Sequence, residues 1–188
     1  MKKEEARLKN EQYEELINHI VGSNVGIIPT DTVYGLICTA KSPEAVKRMY
    51  RVKGREGKPG TIIAASVKQL IELGFVEADV SMAEKYWPGP VSIILPAPKE
   101  LSYLHMGLES LAVRIPESKR LREIMEQTGP LATTSANLPG GPTVTTIEEA
   151  KKIFGNKVDL YVDGGEIKDV KASKIIRISK NGHIEQLR

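Results

Sequence analysis

The chain has 188 residues, of which 40% are hydrophobic and 27% charged, the composition of an ordinary globular domain with one core. Its net charge of +3 is too small to indicate nucleic-acid binding by itself. There is no apolar run of the roughly 20 residues that a membrane span needs. The charged start 1–5 lacks the apolar segment of a signal peptide. The single cysteine, Cys38, excludes an internal disulfide and suits a reducing compartment, so we expect a cytoplasmic protein. The length leads us to expect one domain over 1–188.

Hydrophobic spacing and capping residues predict helices and strands that follow one another without strict alternation. The predicted helices are 2–21, ended by Gly22, then 42–51, 66–73, 80–87, 118–127 and 147–154. The predicted strands are 25–28, 61–65, 91–95, 111–115, 131–134, 160–162, 174–178 and 183–187. Loops are expected at 53–60 and 135–145, an irregular stretch at 96–110, and a hairpin turn at Asn181-Gly182. This order favours an α/β fold with a mixed sheet flanked by helices.

Small polar residues follow the first predicted strand, in the segment Pro29-Thr30-Asp31-Thr32-Val33-Tyr34-Gly35-Leu36. Pro29 is expected to end the strand because it has no N–H for a β-ladder, and Gly35 allows a tight turn or a close backbone approach. The end of a buried strand is a common ligand-binding position in α/β proteins. An ordinary Thr/Asp turn explains the same spacing, so both interpretations stand.

Four cations lie within eight residues in the glycine-rich loop: Arg51, Lys53, Arg55 and Lys58. Cations next to glycines suit a polyphosphate, because side-chain and backbone donors can converge on its oxygens. A solvated basic loop is the alternative interpretation. The glycines favour the functional one.

Arg114 lies inside the apolar strand 111–115. A charge among buried neighbours is costly unless it is paired, so Arg114 pairs with an internal acid, points outward, or binds an anionic ligand. Another strand ends in Thr133-Thr134-Ser135-Ala136-Asn137, whose side chains suit either a ligand or a capping turn. The strand ends, the basic loop and Arg114 together predict a small anionic ligand that carries phosphate. They do not identify a reaction.

Several common catalytic patterns are missing from the sequence. His19, His105 and His183 lie in a predicted helix, an irregular stretch and a hairpin, with no serine-triad motif around them. There is no His/Cys/Asp cluster with metal-ligand spacing and no Walker-type ATP motif. We therefore expect no metal site in the protein itself.

The motifs taken together resemble the TsaC/YrdC family of threonylcarbamoyl-AMP synthases. The similarity covers roughly residues 20 to 188. Its motifs are 29–36, Lys53-Gly54-Arg55, Pro88-Gly89-Pro90, Ala112-Val113-Arg114-Ile115-Pro116, Ser135-Ala136-Asn137, Asp163-Gly164-Gly165 and Ser173, in the family's order. Each motif is weak or moderate alone, whereas seven in order are specific. The resemblance implies a YrdC-like twisted mixed β-sheet flanked by helices around a positively charged concave cleft.

The resemblance also implies a nucleotidyltransferase reaction. L-Threonine, bicarbonate or CO2, and ATP would condense to threonylcarbamoyl-AMP and pyrophosphate. Threonylcarbamoyl-transferase partner proteins would then modify the adenosine next to the anticodon of tRNA, and tRNA itself is a further candidate partner. No prosthetic group is implied, and Mg2+ is expected only as a companion of ATP.

Site residues follow from the family by position. ATP contacts fall on Arg51, Lys53, Arg55, Ser110, Asn137, Thr145 and Arg188, and threonine contacts fall on Thr32, Gly60, Arg114, Ser135 and Ser173. Lys53 and Arg55 are the expected catalytic residues, because they would offset charge developing on the phosphates. Arg114 would anchor the threonine carboxylate and leave the amine free to take up CO2.

The chain departs from the family at two places. Glu56-Gly57 stands where a proline usually follows the loop arginine, and Lys174 adds a cation where many members carry threonine. Two other functions fit the same residues: an RNA-binding module without chemistry, and a related carbamoyl-transfer or adenylating enzyme that uses another amine. Aromatic residues make up only 5% of the chain, which argues against an RNA-stacking surface.

Overall fold

A mixed β-sheet forms the centre of the molecule. The computed structural model describes residues 10–55, 57–168, 170, 172–179 and 183–188. The strands are β1 Gly26–Pro29, β2 Tyr34–Thr39, β3 Thr61–Ile63, β4 Val91–Pro96, β5 Ser110–Arg114, β6 Leu131–Ser135, β7 Leu160–Tyr161, β8 Lys174–Ile178 and β9 Ile184–Gln186. Their order in the sheet is β7-β1-β2-β6-β3-β5-β4-β8-β9. The pairs β1–β7, β3–β5 and β4–β8 are parallel and the other pairs antiparallel, so the predicted mixed sheet is confirmed.

The helices pack on both faces of the sheet. They are α1 Asn10–Val21, α2 Pro43–Lys53, α3 Val67–Glu72, α4 Glu77–Ala83, α5 Ser102–His105, α6 Lys119–Thr128 and α7 Ile147–Phe154. On one face the larger core cluster joins strand residues such as Leu36 and Val113 to α2, α3, α4, α5 and α7. On the other face a smaller cluster joins Ile63 and Leu131 to α1 and α6. The two clusters contain side chains from alternate strand positions, as the pleat requires.

Side-chain caps fix the starts of four helices. The hydroxyl oxygens of Ser42, Ser66, Ser118 and Thr146 accept hydrogen bonds from backbone N–H groups three residues further on, at 3.2 to 3.3 Å. Each of these bonds satisfies a donor that has no partner inside its helix. At the other end of α2, Gly54 adopts φ 64°, the left-handed conformation that glycine tolerates best.

The second strand is the main difference from the sequence prediction. Thr30 reverses the chain, because its backbone N–H and its hydroxyl both donate to the Val33 carbonyl, at 3.2 and 2.6 Å. The turn therefore joins two antiparallel strands, and Tyr34–Thr39 is a buried strand that the sequence did not reveal. Pro29 does end β1, but as its last residue, opposite Tyr34, rather than as the first residue after it.

Other boundaries shift by a few residues. The stretch 96–110, expected to be irregular, contains a short 3-10 helix at Lys99–Leu101 followed by α5. The helix expected at 80–87 begins earlier, as α4, and continues as a 3-10 turn at Glu84–Tyr86. The C-terminal hairpin is confirmed by the β8–β9 pairing, although its turn at 181–182 lies outside the described residues. So does 2–9, the first part of the helix predicted over 2–21.

Within the described ranges, every helix is too short or too polar to cross a lipid bilayer.

Candidate active site

An open cavity lies on the sheet face that α1 and α6 cover only in part. Thr61 and Thr133 pair across β3 and β6, two residues from Ile63 and Leu131, and therefore share their face. The cavity has a volume of about 610 Å3, which includes solvent at its mouth. This is within the usual range for small-molecule sites. Seven of the twelve predicted site residues line it: Thr32, Arg55, Gly60, Arg114, Ser135, Ser173 and Arg188.

Arg114 is a buried guanidinium that lines the cavity and is held by an acid. It is 3% exposed, and its Nη1 donates to both carboxylate oxygens of Asp31, at 2.8 and 2.9 Å. Its Nε is buried and has no hydrogen-bond partner among the described residues. Burial lowers the pKa of Arg114, whereas Asp31 raises it, and an arginine keeps its charge in either case. The internal acid is thus confirmed and the outward orientation is wrong; binding of an anionic ligand stays a prediction.

Hydroxyl groups approach the cavity from two neighbouring strand ends. Thr32 is buried in the turn after β1, with its oxygen 3.2 Å from the oxygen of Thr30. Ser135 ends β6, and its hydroxyl donates to the Asn137 side-chain oxygen at 2.7 Å. β2 and β6 are adjacent, with Gly35 opposite Ser135. A side chain on Gly35 would approach the Thr133 hydroxyl to 3.0 Å, so glycine keeps this part of the cavity open.

Ser173, directly before β8, and Arg188, which follows β9, contribute further groups beside β8. Ser173 is buried, and its oxygen lies 3.0 Å from the oxygen of Ser92 on β4. Arg188 donates from Nε and Nη2 to the Ser173 carbonyl, at 3.1 and 3.0 Å. The Arg188 backbone is also bonded to Ile175, which fixes the arginine against β8. Partial burial lowers the pKa of Arg188, which remains a cation at the cavity.

The loop between α2 and β3 is organised by Arg55. Its guanidinium donates to the carbonyls of Lys58 and Pro59 and to the Thr134 hydroxyl. Burial is the main cause that lowers the pKa of Arg55, and the charge of Arg188 adds to it. Gly60 follows, where a Cβ atom would lie 2.7 Å from the Thr133 carbonyl oxygen, closer than any real contact. Gly60 is therefore required for β3 to approach β6 at the cavity, whatever its role toward threonine.

Lys53 does not line the cavity. It is buried at the end of α2, and its ammonium donates to the carbonyls of Ser135 and Asn137, at 2.8 and 2.6 Å, and to the Asn137 side-chain oxygen. These bonds use all three ammonium donors and tie α2 to the segment that follows β6. Burial, aided by the charge of Arg55, lowers the pKa of Lys53 to about 8. Direct contact of Lys53 with a nucleotide stays a prediction.

The pKa of Lys53 predicts a pH dependence. A neutral amine has two N–H donors and cannot serve three oxygen acceptors, so the link to Ser135 and Asn137 weakens as pH rises through about 8. We expect turnover to fall over this range. The contribution of Lys53 to the free energy of unfolding changes in the opposite direction, because burial penalises the charged amine in the folded protein. Between pH 8 and 10.5 the unfolded chain binds more protons at Lys53 than the folded chain does, so the free energy of unfolding rises with pH.

Rate measurements from pH 6 to 10, together with unfolding curves, would separate the two effects. Lys53→Arg cannot lose its charge in this range, so its activity is expected to lack the step near pH 8. A step of equal size in the variant would contradict the assignment to Lys53.

The other predicted residues lie around the cavity rather than in its lining. Arg51 is exposed on α2, and Asn137 is held by Lys53 and Ser135. The Thr145 backbone N–H and hydroxyl donate to the same Glu149 oxygen, at 2.8 and 3.3 Å. Ser110 shares a face with Arg114 but lies at the other end of β5, roughly 13 Å away along the strand.

Sequence reasoning assigned no role to several residues that build the cavity. Asp31 lies in a motif that was recognised, but its pairing with Arg114 spans 83 residues and no local pattern shows it. No local pattern shows the role of Tyr50 either, whose hydroxyl accepts the Gly60 N–H at 2.9 Å. Lys174, the cation that replaces the family's usual threonine, lies next to Ile175, which lines the cavity. Strand alternation therefore turns the Lys174 side chain to the opposite face of β8.

The fold and the cavity define an α/β domain that holds three arginines and several hydroxyls against one face of a mixed sheet. The family model that covers Sua5, YciO and YrdC, described as "Telomere recombination", matches residues 19–188. This chain belongs to that family.

Relatives and a solved structure extend the comparison. A protein of Vibrio campbellii named Threonylcarbamoyl-AMP synthase is 31% identical over 88% of this chain and 97% of its own length. The Pyrococcus abyssi protein of the same name is 35% identical over 81% of this chain, which spans 46% of it. The crystal structure of P. abyssi Sua5 complexed with L-threonine superposes with a TM-score of 0.85 at 30% identity, covering 97% of this chain and 55% of that one. The YrdC-like fold is thus confirmed.

Proposed function

We propose that this protein is an L-threonylcarbamoyladenylate synthase, which condenses L-threonine, bicarbonate or CO2, and ATP. The observation that carries the proposal is the convergence of Thr32, Arg114, Ser135 and Ser173 on one cavity, with Arg55 and Arg188 beside them. The family membership and a relative of matching length named Threonylcarbamoyl-AMP synthase support it.

The buried arginine supports the proposed binding of threonine. The amine must stay free to take up CO2 as a carbamate, so the carboxylate needs its own anchor. Arg114 supplies a charged donor whose buried Nε has no partner among the described residues, and charge-assisted bonds to carboxylates are the stronger ones. The hydroxyls of Thr32, Ser135 and Ser173 would contact the threonine hydroxyl or its amine.

The nucleotide would enter from the side of Arg55 and Arg188. A carbamate oxygen attacks the α-phosphorus in line, and the bond to the bridging oxygen breaks, so that pyrophosphate leaves with the electron pair. Positioned cations stabilise the charge that develops on the phosphates. Arg55, which lines the cavity, would do this directly. Lys53 would position the Ser135–Asn137 segment, whose carbonyls accept its hydrogen bonds. The remaining proposed nucleotide contacts are Arg51, Ser110, Asn137 and Thr145.

Mg2+ would come with ATP. Among the described residues that line the cavity there is no acid, and Asp31 behind them is bound to Arg114. Mg2+ prefers phosphate oxygens and water to such a set of donors, and would shield phosphate charge there. The positive charge of the cleft as a whole stays a prediction. We also propose a cytoplasmic location and transfer of the product to tRNA by partner proteins.

Pyrophosphate release by the purified protein tests this function. With ATP present, release is expected only when L-threonine and bicarbonate are both added, and omitting either should return the rate to background. Equal rates with another amine would favour a related adenylating enzyme. Tight RNA binding without pyrophosphate release would instead support an RNA-binding module.

A further inference from the structure

We propose that Asp31 is a positioning residue for threonine: it holds one edge of the Arg114 guanidinium so that the other edge receives the substrate carboxylate. The inference rests on the proposed function and adds to it a residue that touches no substrate. It explains why a buried arginine, already paired, can still bind an anion.

The contacts show that the Asp31 carboxylate is fixed and bonds only one nitrogen of the Arg114 guanidinium. Its two oxygens both accept from Nη1 of Arg114, at 2.8 and 2.9 Å, and the second oxygen also accepts the Glu117 N–H at 3.1 Å. The side chains of Arg114 and Asp31 are 4% and 6% exposed. The turn that contains Asp31 is closed by the Thr30–Val33 hydrogen bonds. Asp31 is therefore part of the wall behind Arg114.

The Arg114 guanidinium has further donors besides the Nη1 that Asp31 holds. The Nε atom is buried and has no partner among the described residues, which leaves a donor unsatisfied unless a ligand accepts from it. The planar fork of arginine can offer Nε and Nη2 in parallel to the two oxygens of a carboxylate. With Nη1 held by Asp31, this second edge is the one that remains for bidentate binding.

Charge supports the same arrangement. Arg114 and Asp31 together are neutral, so a substrate carboxylate would bring one uncompensated negative charge into a buried site. Arg188 is close enough to lower the pKa of Arg114, and it lines the same cavity. The two arginines thus balance the two carboxylates when threonine is bound.

Another possibility is that Asp31 occupies Arg114 in place of the ligand and competes with it. The two ideas predict opposite results for Asp31→Asn, which keeps the shape of the side chain and removes its charge. A competing acid would make threonine bind more tightly in the variant. A positioning acid would make threonine bind more weakly, because the guanidinium loses the partner that orients it.

The test is steady-state pyrophosphate release, with the KM values for threonine and for ATP measured separately. The wild type is measured first, and a wild type without threonine-dependent release would refute the proposed function itself. In an active enzyme, Asp31→Asn is expected to raise the KM for threonine at least roughly 10-fold and to change the KM for ATP less than 2-fold. The preference for threonine over L-threoninamide, which lacks the carboxylate, should fall by a similar factor.

Two further variants make the result decisive. Glu117→Gln removes an exposed charge from the residue whose N–H bonds Asp31, and should leave both KM values unchanged. Asp31→Glu keeps the charge, and with it the buried ion pair, but displaces the carboxylate by one methylene, so it tests the geometry even if Asp31→Asn does not fold. We expect it to raise the threonine KM several-fold. An unchanged or lowered threonine KM in either folded Asp31 variant, or an equal rise in both KM values, would overturn the proposal.

Discussion

Arg114→Met is expected to raise the KM for threonine by roughly 100-fold, the largest effect on substrate binding that we predict. A hydrogen bond to a charged group contributes up to about 3 kcal/mol when its loss leaves a buried partner unsatisfied. That free energy corresponds to about two powers of ten in affinity. Methionine preserves much of the length and volume of the arginine stem, so the loss is mainly that of the charged fork. Calorimetric titration with L-threonine measures the affinity directly.

The same substitution also affects stability, and the two effects can be separated. Removing Arg114 leaves the Asp31 carboxylate buried without its cation, which typically costs 3–5 kcal/mol for a pair of this kind, roughly a third or more of a domain's stability. Adding Asp31→Asn removes the orphaned charge. The double variant is therefore expected to regain much of the unfolding free energy without regaining threonine affinity. If threonine bound a folded Arg114→Met protein as tightly as the wild type, the carboxylate anchor would have to be elsewhere.

Local signals were sufficient for most of the fold. Ser42 before a proline, and Thr146 three residues before Glu149, mark helix starts because each oxygen satisfies a backbone donor within the same few residues. The strand at Tyr34–Thr39 is buried at every position, so it has no alternation of polar and apolar residues that would reveal it in the sequence. The order of the nine described strands depends on pairings between distant segments, and no window of sequence contains that information.

Lys53 shows that a candidate residue can be named from the sequence while its environment stays hidden there. In the sequence it is one of four cations in a glycine-rich loop. In the structure α2 continues to Lys53, seven residues after buried Val46 and four after buried Met49, so helical periodicity turns it inward. Ending the predicted helix at Arg51 hid this. The candidate side chains could be named from motifs, whereas their partners, such as Asp31 for Arg114, required the three-dimensional structure.

Arg55→Ala is expected to slow pyrophosphate release at least roughly 10-fold, the scale of one lost charged contact. Arg55 has two roles that act on the same step. It brings a cation to the cavity, and its bonds to the Lys58 and Pro59 carbonyls and the Thr134 hydroxyl hold the loop that leads to Gly60. Alanine removes both, so we expect kcat to fall and the KM for ATP to rise.

Arg55→Lys separates the two roles, because lysine keeps the charge but has no planar fork to reach three acceptors at once. If charge dominates, this variant should retain most of the activity; if loop geometry dominates, it should resemble alanine. Lys47→Ala is the matched control, since Lys47 is an exposed cation on α2 outside the cavity lining. It should leave the rate within 2-fold of the wild type, a change of less than about 0.5 kcal/mol in the barrier. An undiminished rate in Arg55→Ala would remove this arginine from the chemistry and would leave Arg188 as the cation beside the leaving pyrophosphate.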